Sequence, residues 1–233
     1  DLIITCVKDA DAVKDILFRK DGVVAGKHDD MTIADMSTIN PIDAKEISKK
    51  IHGQGIKSLE IPVMGGPNVA IDGKLVLMAS GDKAIYEKYI KVFETIATET
   101  FFLGESGSAH GIKLAMNLQI SLLALSLSEG IILTKKAGFD PEKFLEILNS
   151  TYFSTGMSQK KAYKMIKDEY QPTFTLKNMK KDLDIITQAA QDFGAVLPMA
   201  ERANKIYSEA LEAGLGEIDY TGILAYIKKN SNA

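Results

Sequence analysis

Lys113 and Asn117 lie four residues apart within an otherwise apolar stretch, "GSAHGIKLAMNLQI" (107–120). If the stretch is helical, this spacing places both side chains on one face. A lysine in the early turns of a helix faces the positive end of the helix dipole, which favours the neutral amine that proton transfer requires. Asn117 could then hold the amine or a substrate oxygen. The alternative is a lysine that extends to solvent beside an amide packed between helices, and the pair alone leaves both open.

Two turns that follow predicted strands could bind a polar or anionic ligand. In "DMSTINP" (35–41), hydroxyl and amide side chains stand at a strand end, where open α/β sheets bind ligands, although they could equally cap the next helix. In "PVMGGPNVAIDG" (62–73), adjacent glycines let backbone N–H groups approach a carboxylate, although an ordinary turn that needs positive φ has the same sequence. The spacing of a phosphate-binding loop, G-x-x-x-x-G-K-[ST], is absent from the sequence.

A fourth stretch, "LKNMKKDLDI" (176–185), places Lys181 and Asp182 on a helix of mixed charge, a pattern more typical of a solvated face. The three histidines, at 28, 52 and 110, lack the spacing of metal ligands, so we expect no metal site. Cys6 is the single cysteine, which excludes an internal disulfide and suits a reducing compartment. No serine lies in a nucleophile-elbow sequence.

The elements that must position these residues change in character along the chain. Apolar runs typical of strands (2–7, 31–36, 56–63, 73–80 and 98–104) alternate with helical patterns (9–18, 39–51 and 83–95). Such alternation predicts an α/β layer with a largely parallel sheet. Only helical patterns follow Gly104: about 108–137, 141–149, 157–168, 176–193, 198–213 and 221–229. We therefore predict two domains, an α/β domain at 1–104 and an all-helical domain at 105–233 that is entered through a long helix.

Composition excludes several classes of partner. The net charge is −3 and the pI is near 5.7, so the chain has no basic footprint for nucleic acid or for an anionic membrane. The most apolar stretch, 112–133, contains a lysine, a glutamate, an asparagine, a glutamine and three serines, which predicts a buried core helix rather than a membrane span. We expect a cytoplasmic protein with no nucleic-acid or membrane partner.

Taken together and in order, the four stretches resemble the β-hydroxyacid dehydrogenase family, which includes 3-hydroxyisobutyrate dehydrogenase, tartronate semialdehyde reductase and the glyoxylate/succinic semialdehyde reductases. The resemblance runs almost end to end, to "AGLGEIDYTGIL" (213–224) near the C-terminus. It implies a Rossmann-type domain followed by an all-helical domain. It also implies an NAD(P)-dependent oxidoreductase that transfers a hydride between a nicotinamide cofactor and a small 3- or 4-hydroxy acid or semialdehyde. Self-association as a homodimer or homotetramer is expected by the same analogy.

The resemblance also implies roles for individual residues. Lys113 matches the family's general acid–base, and Asn117 matches the asparagine that helps to hold the substrate. The residues that match the family's substrate positions are Ser37, Met64, Gly65 and Gly66, of which the glycine pair binds the substrate carboxylate. The residues that match its cofactor positions are Val7, Lys8, Thr38 and Lys181. The cofactor is NAD or NADP.

The chain departs from the family pattern at three places. Met64 stands where the family usually has serine, and Met116-Asn117 stands where it often has two asparagines. The G-x-G-x-x-G/A turn that opens the family's first domain is not found near Asp1, so we expect about 60 residues of the pattern, with the pyrophosphate site, to be missing. A non-catalytic dimerising fragment is therefore one alternative. A relative of 6-phosphogluconate dehydrogenase, suggested by the histidine in "GSAHGIK", is another, whereas Lys113 argues against the imine reductases.

Overall fold

A computed structural model describes residues 1–231 of the chain, which divides into two compact units. The first unit is Asp1–Met116, and the second begins at Asn117. The division falls inside the long helix α5 (Ser108–Lys136), which begins in the first unit and continues into the second. The predicted domain boundary after residue 104 remains a prediction.

The first unit is a sheet with helices on both faces. Its strands are β1 (Leu2–Thr5), β2 (Thr32–Asp35), β3 (Lys57–Glu60), β4 (Val63–Met64), β5 (Leu75–Gly81) and β6 (Ala97–Phe102). Its helices are α1 (Ala10–Phe18), α2 (Pro41–His52), α3 (Pro67–Ile71), α4 (Lys83–Phe93) and the beginning of α5. A short 3₁₀ helix at Val23–Gly26 follows α1. The predicted α/β layer is confirmed.

Local sequence explains where these helices begin. The side chains of Asp9, Asn40 and Asp82 each accept a hydrogen bond from a backbone N–H in the first turn of α1, α2 and α4. Pro41 occupies the first helical position of α2, where its missing N–H has no cost. The alternative in which the 35–41 stretch caps the next helix is therefore confirmed for Asn40.

The sheet is mostly parallel, with one antiparallel join. β1, β2 and β3 are parallel neighbours, and β6 is parallel to β5. β3 and β4 both pair antiparallel with β5 and keep one register, so they lie in line along the same side of β5. The predicted strand over 56–63 is interrupted between Glu60 and Val63, and the predicted turn at 62–73 contains β4 and α3. β2 ends at Asp35, level with Glu60, and the edge of β4 beyond that point is not paired with β2.

Two apolar clusters bury the faces of the sheet. One packs α1 and α2 against β2, with Leu17, Ile33 and Ile47 in its centre. The other packs α4 against β3, β5 and β6, around Leu77 and Phe93. Adjacent residues of a strand point to opposite faces, so both faces of the sheet are buried by these clusters. The carboxyl ends of β1, β2 and β3 lie outside them, where open α/β sheets bind ligands.

The second unit is all-helical in its described part. After α5 it contains α6 (Pro141–Asn149), α7 (Gly156–Lys160), α8 (Ala162–Ile166), α9 (Leu176–Asp192), α10 (Pro198–Glu212), a 3₁₀ turn (Tyr220–Gly222) and α11 (Ile223–Asn230). Gly138, at φ +82°, follows the end of α5, and Asp140 caps α6, as the sequence predicts. The predicted single helix at 157–168 is wrong, since the chain breaks at Lys161 into α7 and α8.

α5 is long and apolar enough to span a membrane by length and composition, with a mean hydropathy of 1.5 in its most apolar window, of which 44% is buried. It is the one such helix among residues 1–231. Core helices of soluble proteins pass the same test, so this property is weak evidence for a membrane location.

Candidate active site

The amine of Lys113 lies against β4. Its Nζ donates a hydrogen bond to the carbonyl oxygen of Val63 at 2.7 Å and lies 3.2 Å from Sδ of Met64. Lys113 is half-buried at the beginning of α5, so the side chain does not simply extend into solvent. The sequence alternative of a solvent-directed lysine is therefore wrong.

The backbone of β4 presents polar groups along the same edge. The N–H of Met78 donates to the carbonyl of Pro62, so Pro62 and Met78 form a hydrogen-bonded pair between the two strands. Hydrogen-bonded and non-hydrogen-bonded pairs alternate along an antiparallel ladder. In that alternation Val63 is a non-hydrogen-bonded position, so its carbonyl points away from β5, towards the Lys113 amine. The Lys113 amine therefore lies on the side of β4 that faces away from β5.

Glycine is required at position 65. Its φ is +132°, and a Cβ there would lie 2.7 Å from the Leu75 side chain. Gly66 is the N-cap of α3, with Pro67 at the first helical position. The backbone of this turn therefore packs closely against the Leu75 side chain, as glycine permits. The binding of a carboxylate by Gly65 and Gly66 remains a prediction.

The carboxyl ends of β1 and β2 are joined by a buried hydroxyl network. Thr5 and Ser37 each donate to Oδ1 of Asp35 at 2.7 Å. The Val7 N–H donates to the Ser37 hydroxyl at 2.9 Å. Within residues 1–231, the second carboxylate oxygen of Asp35 is buried without a hydrogen-bond partner. The structure thus brings Val7 and Ser37 together at the end of two parallel strands, and Asp35, which the sequence analysis did not select, organises them.

Two other predicted residues border this network. The Lys8 side chain is 72% exposed and forms an ion pair with Asp9 at 3.4 Å. Thr38 is half-buried beside Ser37. The desolvation of the Cys6 thiol raises its pKa, and the Asp35 carboxylate raises it further.

Residues at this edge fit the nicotinamide end of a dinucleotide. The ends of adjacent parallel strands are where open α/β sheets bind such cofactors. The Ser37 hydroxyl and the backbone around Val7, which Asp35 orders, are the donor and acceptor types that an amide and a ribose bind. Among residues 1–231, no group of three or more acidic, histidine or cysteine side chains could hold a metal ion.

A second buried carboxylate, Glu60, lies at the end of β3. It accepts hydrogen bonds from the hydroxyls of Ser80 and Ser106 and from the N–H of Gly107. His110 is fully buried, with Nε2 at 4.0 Å from Glu60, and both ring nitrogens lack a hydrogen bond within the described chain. Burial lowers the pKa of His110, as does Lys113, against the opposing charges of Glu60 and Asp35. No local sequence pattern marks Glu60, because its partners Ser80 and Ser106 lie 20 and 46 residues away in the chain.

The second unit holds the remaining predicted residues. Asn117 is 4% exposed and donates from Nδ2 to the carboxylate of Asp182 at 2.6 Å. Lys181 forms an ion pair with the same carboxylate at 2.7 Å. Asp182 is 1% exposed, so the solvated face that the charge pattern favours is wrong at this residue. Asp182 joins the two predicted residues, Asn117 and Lys181.

Comparisons with known proteins agree with this architecture. Residues 1–104 match a family model described as the NAD-binding domain of 6-phosphogluconate dehydrogenase. Residues 107–227 match a second family model, described as NAD-binding of NADP-dependent 3-hydroxyisobutyrate dehydrogenase. Glyoxylate/succinic semialdehyde reductase 1 of Arabidopsis thaliana is 30% identical over 97% of this chain and 78% of its own length. The chain belongs to the β-hydroxyacid dehydrogenase family.

Two further matches extend the comparison to a solved structure and to a longer protein. A crystal structure of 3-hydroxyisobutyrate dehydrogenase from Salmonella typhimurium has a TM-score of 0.87 at 23% identity, over 97% of this chain and 79% of that one, and shows a shared fold. The cytokine-like nuclear factor N-PAC of Homo sapiens is 30% identical over 97% of this chain, which spans 41% of that protein. The predicted family, fold class and enzyme class are confirmed: this β-hydroxyacid dehydrogenase is an NAD(P)-dependent oxidoreductase that uses NAD or NADP.

Proposed function

We propose that this protein interconverts a small 3- or 4-hydroxy acid and the corresponding semialdehyde, with Lys113 as the general acid–base. The observation that carries the proposal is the Lys113 amine on the edge of β4 that faces away from β5, where it contacts Val63, two residues before Gly65 in the chain. Glyoxylate and succinic semialdehyde, named for the Arabidopsis relative, are the first substrates to test.

The residues divide the chemistry between them. The backbone N–H groups of Gly65 and Gly66 bind the substrate carboxylate in the close approach that glycine permits. Lys113 gives a proton to the carbonyl oxygen during reduction and accepts it from the hydroxyl during oxidation. Val63 holds the amine through one hydrogen bond. The thioether of Met64 is a weak acceptor that a substrate oxygen can replace.

The cofactor residues act mainly by orientation. Val7, Lys8 and Thr38 would hold the nicotinamide end at the carboxyl ends of β1 and β2, next to Ser37, which is proposed as a substrate residue. When bound, the nicotinamide supplies or accepts the hydride. Asp35 keeps the Ser37 hydroxyl directed inward, and the Ser37 hydroxyl in turn fixes the backbone of Val7. In the helical unit, Lys181 is proposed as a further cofactor residue and Asn117 as a substrate residue.

The test of the acid–base role is Lys113→Ala in the intact protein, assayed with a panel of semialdehydes and both reduced cofactors. We expect kcat to fall by about 10²–10⁴-fold, the usual contribution of a general acid–base. Lys113→Arg should be as inactive, because a guanidinium does not release its proton near neutral pH. The matched control is Lys91→Ala, an exposed lysine on α4. A Lys113→Ala protein that folds and loses only a few-fold in kcat would refute the role.

Cys6 offers an independent test of where the cofactor binds. It is the only cysteine, it is exposed, and it lies between β1 and Val7. Because its raised pKa keeps it mostly protonated, alkylation by iodoacetamide at pH 8 should be slower than in the unfolded chain. Saturating NADH or NADPH should slow it by a further factor of about five or more. Unchanged labelling with bound cofactor would place the nicotinamide elsewhere.

Self-association as a homodimer or homotetramer, a cytoplasmic location, and the lack of nucleic-acid or membrane partners belong to the same proposal. They are supported by the family resemblance and by the acidic composition.

A further inference from the structure

The segment that joins β3 to β4 is tied to α5 at two points. At its first end, Glu60 accepts hydrogen bonds from the residues that begin the helix. Three residues later, the Val63 carbonyl accepts from Lys113 on the same helix. The lysine and the strand edge that it contacts are therefore fixed to one another through Glu60 as well as directly.

Glu60 binds the helix start at successive residues. Ser106 donates its hydroxyl, and the N–H of Gly107 donates to both carboxylate oxygens, at 2.9 and 2.8 Å. Ser80 donates to Glu60 at 2.7 Å and accepts from the N–H of Ala109 at 3.2 Å. Glu60 is 6% exposed. The carboxylate thus accepts directly from the amide that precedes α5, and through the Ser80 hydroxyl it supports the Ala109 amide in the first turn, which would otherwise have no partner in the helix.

The helix start also has little room to move. Gly107 has a φ of +90°, and a Cβ there would lie 2.6 Å from the Lys45 side chain and 3.2 Å from the carbonyl of Pro41. The first residues of α5 are therefore seated closely against α2. From Gly107 to Lys113 the chain is continuous, so a shift at Gly107 is carried about 9 Å along the axis to the lysine.

Within the described part of the chain, no lysine or arginine donates a hydrogen bond to Glu60. Its hydrogen bonds come from uncharged groups, and His110, 4.0 Å away, is a histidine whose pKa burial lowers. Asp35, at the end of the neighbouring strand, and Lys113 are the other charged groups that act on this histidine. The Glu60 carboxylate therefore holds the start of the helix and does not neutralise a cation.

We propose that Glu60 is a positioning residue that sets the Lys113 amine against the edge of β4. The proposal rests on the acid–base role proposed for Lys113. Because an error of about 1 Å in a reacting group can cost about 10²-fold in rate, a small shift of the helix start is sufficient to be measured.

The test is a double-mutant cycle in the intact protein. Glu60→Asp keeps the charge but withdraws the carboxylate by one carbon–carbon bond, about 1.5 Å. We expect kcat to fall by about 10- to 100-fold while KM changes by less than about 3-fold. In a Lys113→Ala background, the same change should lower kcat by less than about 2-fold, because the group it positions is already gone. Glu60→Gln, which retains one acceptor oxygen, is the second variant if Glu60→Asp does not fold.

A crystal structure of Glu60→Asp supplies a readout other than activity. The distance from Lys113 Nζ to the Val63 oxygen, now 2.7 Å, should exceed about 3.5 Å, the limit of a hydrogen bond. The matched control is Phe93→Leu, a fully buried residue of α4 outside the site. It should lower stability and leave kcat within about 2-fold.

The outcomes separate the two proposals. An equal loss of kcat in both backgrounds, with an unchanged Nζ–oxygen distance, would make Glu60 a purely structural residue. Full activity of Glu60→Asp beside an inactive Lys113→Ala would overturn the positioning role and leave the proposed function intact. Full activity of Lys113→Ala would overturn the proposed function, and the crystal distance would then decide the positioning role by itself.

Discussion

Glu60 in the sheet unit and Asp219 in the helical unit are both buried carboxylates with several hydrogen-bond donors, but the donors differ. Asp219 accepts from the Lys161 ammonium at 2.9 and 3.0 Å, and from the backbone and hydroxyl groups of Thr173 and Thr221. Among residues 1–231, the groups that donate to Glu60 are uncharged: the Ser80 and Ser106 hydroxyls and the Gly107 amide. Asp219, paired with Lys161, joins segments of the helical unit. Glu60 instead holds the start of α5, and Lys113 on that helix contacts β4 rather than the carboxylate.

The segments joined by Asp219 are far apart in sequence. Lys161 lies at the break between α7 and α8, Thr173 lies before α9, and Thr221 lies in the 3₁₀ turn before α11. Thr175 and Asp219 also form an isolated β-bridge. Loss of Asp219 should therefore be seen in the stability of the fold, and loss of Glu60 mainly in the rate of the reaction.

The largest expected effect on stability comes from Asp219→Asn. The change removes the counter-ion of a partly buried lysine, which should lower the free energy of unfolding by about 3 kcal/mol while kcat is unchanged. Denaturant unfolding followed by tyrosine fluorescence measures the first quantity, since the chain has no tryptophan. The control is Glu217→Gln, which breaks an exposed pair with Lys177 and should cost less than about 1 kcal/mol. Equal losses from both variants would remove the distinction between the two carboxylates.

A smaller expected effect is a difference between the two units in how their stability depends on pH. Burial lowers the pKa of His110, so the unfolded chain binds a proton more readily below about pH 6.5, and the sheet unit loses stability as the pH falls below that value. Burial by itself raises the pKa of Asp219, but the Thr173 amide and Lys161 outweigh it and hold that pKa below its ordinary range. The contribution of Asp219 is therefore present above about pH 4 and is lost only as the pH falls further.

Hydrogen exchange at pH 7 and 5.5, corrected for the intrinsic exchange rate, tests this difference. Protection should decrease in β2 and β3 and be retained in α9 and α10. His110→Gln should remove the change in the sheet unit, whereas the exposed His28→Gln should not. Equal loss of protection in both units would show that His110 does not govern the acid response.

The sequence predicted the elements better than the contacts between them. Caps such as Asn40 and Asp140 are local signals, because donor and acceptor lie within one turn. The break at Lys161 was missed because the helical pattern continues across it and the break coincides with a contact to Asp219, 58 residues later. Long-range partners of this kind leave no periodic trace in the sequence.

In the candidate site, too, residues with local sequence signals could be predicted and residues defined by long-range contacts could not. Lys113 and Gly65 were selected from short stretches in which residue type and spacing carry information. Glu60 and Asp35 were not, because their partners Ser106 and Thr5 lie 46 and 30 residues away. The same limit explains Asp182, whose charged neighbours suggested a solvated face until its contact with Asn117, 65 residues away, was seen.

The parallel register of the first three strands also has a kinetic consequence. β1 pairs Leu2 with Thr32, and β2 pairs Thr32 with Lys57, so each ladder must close a loop of about 25 to 30 residues before its first hydrogen bond forms. Antiparallel helix pairs such as α9 and α10 need only the short connection between them. Non-local pairing is slow relative to local helix contacts. After dilution from denaturant, formation of the sheet whose β4 accepts the Lys113 amine is therefore the step that limits the return of activity, while the helical unit recovers its ellipticity earlier.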